Sequence, residues 1–89
     1  MLTVTEDAAT LIRTLIGDAE RSRRSGLRIV VHPDHHSLTM SLASGPSPAD
    51  DIVETDEARV FLSPSASRRL DERTLRAALS VNHSSFFLG

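Results

Sequence analysis

Apolar residues recur at Ala8, Leu11, Ile12, Leu15, Ile16 and Ala19, three or four positions apart, while Arg13, Thr14 and Asp18 fall on the other side. That spacing predicts an amphipathic helix of about four turns with one apolar face. Thr5 stands before Glu6 and Asp7 as its N-cap, with acids in the first turn where the helix dipole favours them. Ahead of it, Leu2, Thr3 and Val4 alternate in the manner of a short strand. The stretch Arg21-Ser22-Arg23-Arg24-Ser25-Gly26 reads as cap and linker, with positive charge at the helix's negative end and Gly to stop it. A patch for an anionic partner is the second reading of the same arginines.

From Gly26 the period changes to 2. Leu27-Arg28-Ile29-Val30-Val31 is a strand, Pro33-Asp34 suits the central positions of a type I turn, and Leu38, Met40 and Leu42 alternate with Thr39 and Ser41 in a returning strand. The result is a hairpin. Ser44-Gly45-Pro46-Ser47-Pro48 is a loop, and Asp50 to Glu57 carries five acids in eight residues, with Ile52 and Val53 as its only apolar positions. Such a segment reads as a solvated edge strand and turn, with a docking surface for a basic partner as the alternative. Arg59-Val60-Phe61-Leu62 is a further strand, after which Ser63 caps and Pro64 opens a short helix to about Leu70. Thr74 to Val81 alternates again, with Leu75, Ala77, Leu79 and Val81 on one side, and Phe86-Phe87-Leu88 closes the chain as a last strand.

These elements predict an α+β chain, mostly β. An N-terminal amphipathic helix packs on an antiparallel or mixed sheet, a second short helix accompanies it, and residues 1–89 form a single domain. With 89 residues there is room for one core. Leu11, Ile12, Leu15 and Ile16 are therefore expected against Ile29, Val31, Val60, Leu62, Leu79 and Phe86.

Composition narrows the function classes. Leu, Ile, Val and Phe make up 24 of the 89 residues and the net charge is −2, a balance compatible with a packed domain. There is no Cys, so disulfides, a thiolate nucleophile and thiolate-bound zinc or iron–sulfur sites are beyond these residues. All ten basic residues are Arg, which removes Schiff-base chemistry and the lysine of a phosphate-binding loop. Arginines do not outnumber acids in either half and Trp and Tyr are absent, so no nucleic-acid partner is expected. Nor is a membrane: no run of 18 apolar residues occurs and the start lacks the marks of a signal peptide. A cytoplasmic location is the expectation.

In their order, several stretches resemble the HesB-like family, the A-type iron–sulfur cluster carriers. They are Leu2-Thr3-Val4-Thr5-Glu6-Asp7-Ala8-Ala9, Gly26-Leu27-Arg28-Ile29, Pro48-Ala49-Asp50-Asp51-Ile52-Val53 and Val60-Phe61-Leu62-Ser63-Pro64, followed by Leu70-Asp71 with Thr74-Leu75 and by Phe86-Phe87-Leu88. The resemblance spans essentially the whole chain. It implies a compact, mostly β fold and a role in accepting or delivering iron–sulfur clusters, with the iron–sulfur assembly machinery or a second copy of the chain, as a homodimer, for partner. The family holds its cluster with one Cys in a loop after the first sheet strand and a Cys-Gly-Cys pair in a C-terminal tail. Here the loop reads Asp34-His35-His36-Ser37-Leu38, and no counterpart of the tail occurs up to Gly89. An accessory or protein-interaction role without a cluster is the resulting expectation, and no cofactor is expected.

The remaining candidate chemistry is a cluster of histidines. His32, Asp34, His35 and His36 lie within five residues, and imidazole with carboxylate is a competent donor set for zinc, nickel, copper or ferrous iron. His83 lies in a turn that could approach them. A polar hairpin tip is the first reading and a weak divalent-metal site the second. Ser37, His36 and Asp34 carry the groups of a hydrolytic triad, but near-consecutive residues do not place base beside nucleophile, and there is no Gly-x-Ser-x-Gly elbow. The acidic pairs Asp50-Asp51 and Asp56-Glu57 read as exposed loop acids, without the burial that shifts a carboxyl toward acid–base work. No enzyme is expected.

Overall fold

The Thr5 hydroxyl accepts the Ala8 amide hydrogen at 3.3 Å and starts α1, Glu6–Ile16. In the computed structural model, which describes residues 1–17, 25–34, 36–55, 57–80 and 83–89, α1 follows β1 (Thr3–Val4) and precedes β2 (Gly26–Val31) and β3 (Leu38–Ala43). The chain continues through β4 (Asp51–Thr55), β5 (Ala58–Leu62), α2 (Pro64–Arg69), β6 (Thr74–Ala78) and β7 (Ser85–Leu88). The order predicted from the hydrophobic pattern is observed, and the fold is mostly β with two helices.

α1 is one turn shorter than its pattern predicts. Gly17, at φ 75°, takes the backbone out of the helix while its N–H still donates to the Arg13 carbonyl at 3.1 Å. Glycine occupies this left-handed region at no steric cost, so the stop is Gly17 and not Gly26. Ala19 and the arginines at 21, 23 and 24 lie outside the described residues. Gly26 has a different task. It opens β2 directly beside β5, where a Cβ would stand 2.5 Å from the Arg59 carbonyl oxygen.

Two mixed sheets result. The larger has the order β3-β2-β5-β4, with β2 parallel to β5 and both outer pairs antiparallel. The smaller has the order β1-β6-β7, with β1 parallel to β6. The acidic segment forms β4, an edge strand as expected. Ser63 caps α2 through the Ala66 amide at 3.3 Å, and Pro64 occupies its first turn.

The core lies where α1 meets β6, β5 and β2, with Ala8, Ala9, Leu11 and Ile12 buried against Ile29, Val60, Leu62 and Leu75. The two alanines let the helix axis come close to the strands. Ile16, Val31 and Phe86 are partly buried at the rim. Two expected core positions are not in it. Leu15 is 49% exposed because α1 ends at the next residue, past the edge of the apolar face, and Leu79 is 48% exposed because β6 ends at Ala78. Val81 lies outside the described residues. Among the described residues no helix is long and apolar enough to cross a membrane.

Candidate metal site at the β2–β3 turn

β2 and β3 pair in a strict antiparallel register from Gly26 opposite Ala43 to Val31 opposite Leu38. One rung further, the His32 amide donates to the Ser37 carbonyl at 2.8 Å. His32 to Ser37 therefore form the tip, turning at Pro33-Asp34. The Asp34 carboxylate organises it. Its Oδ1 accepts the amide hydrogens of His36 at 2.8 Å and Ser37 at 3.2 Å. The His36 amide is the main reason the Asp34 carboxyl is held below the usual carboxylate range. His32 Nδ1 accepts the Asp34 amide hydrogen at 3.3 Å and lies 3.4 Å from Asp34 Oδ2. The same nitrogen accepts in the first contact and would need a hydrogen of its own to serve the second, so the two contacts are alternatives.

The turn thus uses Asp34 as a cap for its own backbone. Among the described residues no three or more His, Asp or Glu side chains are grouped to share a metal ion. His32, Asp34 and His36 are within that set, whereas His35 lies outside the described residues. His83, between β6 and β7, is exposed, and its amide donates to Ser80 Oγ at 3.0 Å. The Ser37 hydroxyl is 3.5 Å from both Asp34 carboxylate oxygens, a contact internal to the turn.

One buried charge was not foreseen. Asp50, expected to be a solvated acid, has a side chain only 1% exposed. It accepts Arg28 Nε on Oδ2 at 3.0 Å, Arg28 Nη2 on Oδ1 at 3.2 Å and the Ser47 amide hydrogen on Oδ2 at 3.0 Å. The available signal was Arg28 itself, a lone charge within the apolar run Leu27 to Val31, which needs a partner to sit in a central strand. The pair fastens the loop between β3 and β4 onto the sheet face that also carries Phe61, whose register partners are Arg28 and Ile52.

These donors do not fit an iron–sulfur cluster. They are imidazoles and carboxylates, and no thiolate exists anywhere in the sequence. Such clusters require the charge and softness of thiolate, which imidazole replaces only in mixed sites.

Comparison with known proteins bears on the fold. No family model matches the sequence. The uncharacterized protein blr1755 of Bradyrhizobium diazoefficiens is 27% identical over 89 residues, covering 97% of this chain and 83% of that protein. The crystal structure of Escherichia coli SufA, involved in biosynthesis of iron–sulfur clusters, superposes with a TM-score of 0.81 at 25% identity, covering 99% of this chain and 83% of SufA. IscA, crystallised with a [2Fe-2S] cluster, matches with a TM-score of 0.75 at 19% identity over 100% of this chain and 84% of its own. Over nearly its whole length, then, the chain adopts the HesB-like fold of SufA and IscA.

Proposed function

We propose that this cysteine-free chain is an accessory or protein-interaction module connected with iron–sulfur cluster biogenesis, that it holds no cluster by thiolates of its own, and that it is not an enzyme. The likeness to SufA across 99% of the chain carries the reading, and the donor chemistry defines its limit. The partner is a protein of the iron–sulfur assembly machinery, met in the cytoplasm, and the module needs no bound cofactor to meet it.

Two measurements test this. Anaerobic reconstitution with iron and sulfide is expected to leave the protein colourless, because the chain offers no thiolate; a stable brown protein with stoichiometric sulfide overturns that half. Capture from a native cell extract, with the retained proteins identified by mass spectrometry, is expected to enrich iron–sulfur assembly proteins. Retention of none of them removes the connection to biogenesis.

A further inference from the structure

β4 is the acidic edge of the larger sheet, and among the described residues it pairs with β5 alone. Its register shows which backbone groups that leaves open. The Ser63 amide donates to the Ile29 carbonyl of β2, so Phe61 and Arg59, two and four residues earlier in the same extended run, also turn their backbone groups toward β2. Ala58, Val60 and Leu62 turn theirs toward β4, which makes Thr55, Val53 and Asp51 the bonded residues of that strand. The N–H and C=O of Ile52 and Glu54 are directed at the open edge.

Beside this edge the core-facing side of the sheet opens into a cavity of about 360 Å³, bounded by β4, the N-terminal residues and α2. Leu2, Val53 and Leu62 give it an apolar floor, and Asp51 and Asp71 stand in its wall. Asp51 accepts the Ser67 hydroxyl and Asp71 the Met1 ammonium, so the cavity wall holds two carboxylates against one cation. Each carboxylate keeps lone pairs for a further donor. On the other side of the sheet the acid is already matched, with Glu54 3.4 Å from Arg59. An apolar floor that ends at carboxylates suits a long cationic side chain, with its carbon stem on the floor and its charged head on the oxygens.

We propose that β4 is a docking edge for an extended basic segment of a partner protein, which adds to the sheet as a further strand and places an Arg or Lys side chain in the cavity lined by Asp51 and Asp71. Strand addition of this kind draws affinity from main-chain bonds, here to Ile52 and Glu54, and specificity from a pocket for alternate side chains. Side chains alternate along the incoming segment, so its basic positions face the cavity and the intervening ones lie beside the 47% exposed Ile52. Charge selects this occupant. A second β4 would set acids against acids, and a neutral strand gains nothing from the two carboxylates. The edge supplies the chemistry of the partner in the proposed role and rests on that reading for the partner's identity alone.

The probe is an acetylated and amidated peptide, Val-Arg-Val-Arg-Val-Arg-Val, titrated into the labelled protein and followed by NMR, with Arg-Arg-Arg-Val-Val-Val-Val as its reordered control. The alternating peptide is expected to shift the Ile52 and Glu54 amides and slow their exchange, while the Val53 amide, already bonded to β5, stays protected throughout. The reordered peptide is expected to bind about tenfold more weakly, because it has the charge without the alternation. Asp51→Asn and Asp71→Asn lie at exposed positions and are expected together to weaken the alternating peptide by about tenfold or more. Should a variant fail to fold, the amide measurements on the unaltered protein still decide. No binding of the alternating peptide, equal binding of the reordered one, shifts along β3 in place of β4, or an affinity untouched in the folded double variant overturns the docking edge, whatever a cell extract yields. Docking at β4 with no iron–sulfur assembly protein captured supports the edge and removes the role assigned to its partner.

Discussion

Arg28 and Asp50 close a two-pronged ion pair, Nε to Oδ2 at 3.0 Å and Nη2 to Oδ1 at 3.2 Å, that ties the loop after β3 to the second strand of the sheet. The guanidinium holds the Asp50 carboxyl below its ordinary range, with the Ser47 amide adding to the effect. A carboxylate with a depressed folded-state pKa contributes stability that is fully present above the unfolded value, near ~4, and lost as pH falls through the lower folded value. Asp50→Asn should therefore cost about 1–3 kcal/mol at neutral pH. Urea denaturation of both proteins at neutral and acid pH checks this: the gap should close below about pH 4, and a gap constant down to acid pH would show that the pair is not its source.

The helix face makes a second, sharper contrast. Leu11 and Ile12 are buried and Leu15 is half exposed, although all three share one apolar stripe. Ile12→Ala should cost about 2–5 kcal/mol, a large share of the stability of so small a domain. Leu15→Ala should cost less than about 1 kcal/mol, because little surface leaves water there. Denaturant midpoints of the two variants with equal slopes give the comparison directly.

The reach of the sequence follows from how local each cause is. Thr5 and Ser63 announce their helices because a cap acts within three residues, and the period-2 runs announce β2 and β3 because alternation is local too. Gly17 was not legible as a stop, since Asp18, Ala19 and Glu20 continue the helical pattern past it. Asp50 was hidden among five acids because its partner lies 22 residues back in the chain. The parallel pairings of β2 with β5 and of β1 with β6 are likewise products of the tertiary arrangement. At the turn, the residue types suggested ligands, whereas Asp34's bonds to the His36 and Ser37 amides, visible only in three dimensions, show what the carboxylate does.

Gly26 and Gly45 should answer differently to the same change. At Gly26 an added Cβ meets the Arg59 carbonyl oxygen at 2.5 Å, so the parallel pair of β2 and β5 must separate, whereas at Gly45 nothing lies within 4 Å. Gly26→Ala is expected to cost roughly 1–3 kcal/mol, in the range of overpacked sites. Gly45→Ala should be neutral or slightly stabilising through the unfolded chain. Melting temperatures of the two single variants decide it, and equal values would mean that the strands tolerate the methyl group.

The turn histidines set the last expectation. Asp34 is engaged by two backbone amides, and binding a metal through it means weakening the bonds that shape the tip. His32 offers Nδ1 to the Asp34 amide and has Nε2 left for a ligand role. Few donors without supporting contacts hold a divalent ion weakly, because outer partners orient ligands and raise their affinity. Calorimetric titration with zinc should therefore give a dissociation constant of about micromolar or weaker. The heat should fall away in His32→Ala and His36→Ala if these imidazoles are the ligands, and chelator should leave the melting temperature of the purified protein unchanged. Asp34→Ala discriminates between the two uses of the carboxylate. As a turn cap its loss lowers the melting temperature without metal present, whereas for a dedicated ligand it would abolish zinc binding and leave the metal-free protein as stable as before.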